Sequence, residues 1–121
     1  MYFVDRVAVT VRPTAAFLQW LNAHEAKGPD GFEFTLEQIR SNATVYLMPE
    51  AETPEETVAY VDEHYEKLFA AELASWSIDE IDWPQDRSLQ AFWTFFEIEV
   101  HDLVLDVVDS ELLNNPLPEN D

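Results

Sequence analysis

The sequence predicts an α+β fold: a short two-stranded sheet packed against four or five helices, two of them long. Three observations carry that expectation. Residues near the N-terminus alternate with β-branched side chains at every second position. Through most of the second half, apolar residues recur every three or four positions. A chain of 121 residues that is 47% hydrophobic and 13% aromatic also holds enough apolar mass for one real core and too much for a disordered chain.

From Val4 to Val11, residues Val7, Val9 and Val11 point one way and Arg6, Ala8, Thr10 and Arg12 the other, the pattern of a half-buried strand. Pro13 ends it and suits the start of a helix over Ala15–Ala26, with Phe17, Leu18, Trp20 and Leu21 as the apolar side. Gly28-Pro29-Asp30-Gly31 stops that helix and contains both glycines of the chain. Thr35-Leu36-Glu37-Gln38 has the form of a capping box, so a short helix runs to Arg40. After a turn at Ser41-Asn42, Ala43–Met48 reads as a second strand closed by Pro49. Strand, helical connection and strand fit a βαβ unit, right-handed if the strands run parallel, but two strands alone leave their direction open.

Thr53-Pro54-Glu55-Glu56 is the clearest helix start: an N-cap, proline in the first turn, and acids facing the positive end of the dipole. Val58, Val61, Tyr65, Leu68, Phe69, Leu73 and Trp76 then carry the helix to Ser75. Ser77-Ile78-Asp79-Glu80 opens a shorter turn that ends at Trp83-Pro84. Phe92 to Val100 has strand composition by residue type. Yet Leu89, Phe92, Phe96, Val100, Leu103 and Val107 step by three or four, so a second long helix is predicted over 88–109. Phe95, Ile98 and Leu105 lie off its main stripe, and a helix apolar on most sides belongs at the centre of a fold or in a homodimer interface. Residues 1–113 are expected to form one domain, with 114–121 a polar, proline-broken tail.

The charge is lopsided. The net charge is −19; residues 1–50 hold six acids and four bases, whereas 51–121 hold 19 acids against Lys67 and Arg87. Such a surface opposes direct binding to nucleic acid or an anionic membrane. With no cysteine there is neither a disulfide framework nor a thiolate site. Met1–Arg6 lacks the apolar stretch of a signal peptide, and no apolar run approaches the ~20 residues that span a bilayer, so a cytoplasmic location is expected. The glycines sit in a turn with Pro29 and cradle no phosphate, no Gly-x-Ser-x-Gly occurs, and no cofactor is implied.

Three candidate sites follow from residue chemistry. Glu97 and His101 are four apart, share a helix face, and meet His64 if the long helices pack, which would suit a small metal protein or enzyme. An ordinary i,i+4 pair on a solvated face is the plainer account of the two. Glu99, Asp102 and Asp106 line one edge of the last helix and would form part of an acidic surface or hold a hard cation. Tryptophans 20, 76, 83 and 93 fit a core better than a ligand pocket. The acidity either serves solubility or a high-salt cytoplasm, or points to a non-enzymatic interaction protein whose helical carboxylates bind a basic partner protein. Its most specific form is a DNA mimic, in which carboxylates imitate one phosphate charge per about 1.7 Å of duplex axis.

Thr35–Met48, Tyr65-Glu66-Lys67-Leu68-Phe69, Trp83-Pro84, and Phe95-Phe96 ahead of His101 and Asp106 together resemble small acidic bacterial proteins of about this length that carry no assigned function. The resemblance spans most of the chain from Thr35. It implies a bacterial cytosolic origin and a compact α+β fold, and brings no activity with it.

Overall fold

A computed structural model describes residues 1–23, 33–41, 43–76 and 79–118. The expected turn at Gly28–Gly31, the C-terminal end of the first helix with His24, Asn42, the capping pair Ser77-Ile78 and the last three residues lie outside them.

The central strand is β2 (Val7–Pro13), where Val7, Val9 and Val11 are buried as their alternation requires. It is flanked by β3 (Thr44–Met48) and β4 (Phe96–His101), both antiparallel to it, in the order β3-β2-β4. Because β2 and β3 are antiparallel neighbours, the connection between them is not a right-handed parallel crossover. A second, two-stranded antiparallel ribbon joins β1 (Tyr2–Phe3) to β5 (Leu105–Asp106). Among the described residues there are four α-helices: α1 (Ala15–Ala23), α2 (Leu36–Arg40), α3 (Pro54–Ser75) and α4 (Leu89–Phe95).

This corrects the expected architecture twice over. The main sheet has three strands beside a separate two-stranded ribbon, and α3 is the single long helix among the described residues. The second long helix over 88–109 does not form. Ser88 caps α4 by accepting from the Ala91 N–H, and the chain turns extended at Phe96, at φ −135° and ψ 149°. Two effects favour the break. Thr14, just past β2, reaches the end of α4: its N–H donates to the Phe95 carbonyl at 2.8 Å and its hydroxyl to the Thr94 carbonyl at 2.7 Å, satisfying groups a helix end would orphan. Beyond Phe96 the sequence alternates, so an extended chain puts Phe96, Ile98 and Val100 on the core and Glu97, Glu99 and His101 outside. The three-to-four spacing was the superposition of a short helix and a strand.

The other starts behave as their sequences dictate. Thr35 and Gln38 complete a reciprocal capping box, and Thr53 caps α3 through the Glu56 N–H. Phe17 of α1, Phe69 of α3, Phe92 of α4 and Phe96 of β4 interlock at the centre, with Phe96 5.3 Å from Phe17, 5.6 Å from Phe69 and 5.4 Å from Phe92 between ring centroids. Trp20, Trp76, Trp83 and Trp93 are partly buried against this core, as residue chemistry favoured. No helix among the described residues is long and apolar enough to cross a membrane.

Candidate functional site

The extended course of residues 96–106 disperses the sites that a helix would have assembled. Glu97, Glu99 and His101 stand on the outer side of β4, opposite Arg12, Thr10 and Ala8 of β2. Glu99 accepts from Arg12 at 2.8 Å and lies 3.1 Å from His101 Nε2, while Glu97 accepts from Arg40 at 2.9 Å. His64 is on α3, with its ring against Tyr60 at 4.1 Å. Each member of the proposed His64–Glu97–His101 group thus has a local partner. Among the described residues, no three His, Asp or Glu side chains gather closely enough to hold a metal ion. Glu99, Asp102 and Asp106 share no helix face: Glu99 is in β4, Asp102 follows it, and Asp106 is in β5. The array that would have imitated a phosphate backbone along a helix edge is therefore not built from these three.

Asp102 and Asp106 nonetheless line concave, acidic surface beside the ribbon. The Val4 N–H donates to the Val104 carbonyl at 2.9 Å and extends the pairing of the ribbon by one step, and the short Asp5-Arg6 link leads from it into β2. Three adjoining grooves of about 430, 280 and 540 Å³ meet at this link. Asp5, Asp106, Asp109 and Glu111 line the first, Asp102 and Glu50 enter in the second, and Asp5 and Glu50 recur in the third. The first groove is mainly apolar, with Tyr2 and Phe3 of β1 in its wall, whereas the second is mainly polar and the third is mixed, with Tyr60 of α3. Arg6 is the only base among the lining residues, and it is engaged by Asp5 at 2.9 Å. Across the three grooves, six carboxylates and one guanidinium contribute to the lining.

The ribbon also leaves apolar side chains in water. Phe3 is 82% exposed, Leu103 62% and Val107 72%. Asp106 is fixed by the Val108 N–H, which donates to it at 2.9 Å, so its carboxylate has a defined place in the groove. Charge beside exposed aromatic and aliphatic surface suits a ligand with a cationic head on an apolar stem, which is the chemistry of Lys and Arg side chains.

The helix edge on which sequence spacing put Asp102 and Asp106 does not form, and spacing named none of Asp5, Glu50, Asp109 and Glu111, which line the same grooves from distant parts of the chain. It also missed a buried polar pair. Glu72 of α3 is 4% exposed and accepts from the Tyr46 hydroxyl at 2.7 Å. Burial raises the carboxyl above its ordinary range, against the opposing pull of hydrogen bonds from Tyr46 and Thr44. Burial and the adjacent Glu72 likewise raise the Tyr46 phenol. Glu72 stands four residues after Leu68 on the apolar side of α3, a spacing that points to burial only once Tyr46 is placed opposite it. No protein-family model, curated protein or solved structure matches the chain.

Proposed function

We propose that this is a non-enzymatic, cytoplasmic interaction protein that captures a basic partner protein through the acidic, aromatic surface where the β1–β5 ribbon joins the sheet. The observation that carries the proposal is the meeting of three grooves lined by six carboxylates and one already paired arginine. The net charge of −19 steers a basic partner toward the molecule and speeds encounter. The local groove supplies what net charge lacks, namely apolar walls at Tyr2, Phe3 and Leu112 on which Lys or Arg stems lie while their charged ends meet Asp106, Asp109 and Glu111.

A titration of the isotope-labelled protein with a short peptide alternating arginine and leucine tests this. Amide shifts concentrate at residues 2–6 and 102–112, and affinity falls at least about tenfold as salt rises from about 0.05 M to about 0.5 M. Shifts spread along α3 with the ribbon silent would refute the assignment, as would binding that ignores salt.

A further inference from the structure

The outer edge of β3 is built differently from the rest of this surface. In the order β3-β2-β4 it is a terminal strand, and among the described residues no strand pairs with it on that side. An antiparallel strand sends alternate N–H and C=O groups away from its neighbour, so five residues, about 17 Å of chain, offer a row of hydrogen-bonding groups. The opposite edge, β4, is guarded by Glu97, Glu99 and His101 on its outer face. On β3 the sequence Thr44-Val45-Tyr46-Leu47-Met48 holds no charge, no proline and no glycine, and Val45 and Leu47 are 58% and 54% exposed. A chain with 31 charged residues in 121 places none of them on this edge strand.

We infer that this edge pairs with the same edge of a second copy of the chain, giving a two-fold dimer with a continuous six-stranded sheet. Self-complementarity and charge select that occupant. An antiparallel register centred on Tyr46 sets Val45 of one copy opposite Leu47 of the other and Leu47 opposite Val45, so the four exposed side chains form one apolar patch across the axis. The five residues of the strand itself offer a basic partner no carboxylate, although Asp5 and Glu50 line the groove beside Leu47 and Met48. Another copy does meet repulsion elsewhere, because each brings a net charge of −19, but the half of the chain that builds this edge, residues 1–50, is nearly neutral at −2. Screening by salt therefore tightens the dimer. This is the reverse of the salt effect on a basic partner, so the two interactions separate experimentally. The dimer is independent of the 88–109 helix once expected to form an interface, whose Phe92 and Phe96 are spent inside the core.

Sedimentation of the full chain at rising concentration and two salt levels tests the inference. The expected result is a mass rising from 14.0 kDa toward twice that value, with the dimer favoured at least about threefold more at about 0.5 M than at about 0.05 M salt. Leu47→Lys and, separately, Val45→Lys place a charge on an exposed position and keep the protein monomeric, whereas Ile81→Lys, at a 90% exposed position on the turn at Glu80–Asp82, changes nothing. Circular dichroism melts verify that each variant folds. A mass of 14.0 kDa throughout overturns the inference, and so does a dimer that both β3 variants leave intact.

Discussion

Glu72 is where a single residue sets a measurable property of the whole protein. Its carboxyl is buried beneath the sheet with the Tyr46 hydroxyl 2.7 Å away, and burial raises its proton affinity above the 4.5 of an exposed glutamate. The folded state thus holds that proton more tightly than the unfolded state does. Its contribution to stability is complete below about pH 4.5 and is lost as pH rises through the higher, folded value. Glu72→Gln keeps an oxygen for Tyr46 and removes the titration. Thermal melts of this variant and the wild type are expected to diverge as pH rises above about 4.5, with the variant gaining stability relative to the wild type. A constant difference across that range would show that Glu72 does not titrate as its surroundings require. The same residue shows how a sequence conceals chemistry. Nothing local marks Glu72 out from its acidic neighbours; its place four residues after Leu68 becomes informative only once Tyr46, 26 residues earlier, is known to lie opposite.

At the scale of elements, local signals succeeded wherever one segment satisfied itself. The capping box at Thr35 and the cap at Thr53 are intramolecular hydrogen bonds spanning three residues, so they can be read from three residues. Thr53→Ala removes the cap of the one long helix and is expected to lower stability by about 1 kcal/mol in urea unfolding without changing the slope of the transition. No loss would mean that Pro54 and the acids Glu55 and Glu56 hold the start unaided. Local signals failed at residues 88–109, where the choice between helix and strand depends on partners far away in sequence. Arg12 draws Glu99 across 87 residues, Arg40 draws Glu97 across 57, and Thr14 reaches the Thr94 carbonyl across 80. A helical period was visible because Leu89, Phe92 and Phe96 do follow about two turns of helix into the first residue of a strand. The ribbon was invisible for the same reason, because β1 and β5 are each two residues long and exist only as a pair.

The whole molecule divides its surface by charge. Near-neutral sequence from the first half builds the central strand and the β3 edge, while residues from both ends of the chain bring carboxylates together around the ribbon. The acidity of the second half was plain from composition, but its useful concentration was not, since Asp5 and Glu50 from the first half complete it. Net charge alone attracts any polycation, and the claim that one surface does the capturing is the stronger one. The measurement that tests it most directly compares two variants of equal charge. One replaces Asp102, Asp106, Asp109 and Glu111 at the ribbon by their amides, and the other replaces Glu55, Glu56, Glu63 and Glu66 on α3, all of them exposed except the half-buried Asp106. Affinity for the arginine–leucine peptide is expected to fall at least about tenfold in the ribbon variant and less than about threefold in the helix variant. Equal losses in the two would show that the protein presents only its net charge, and would contradict the site described for it.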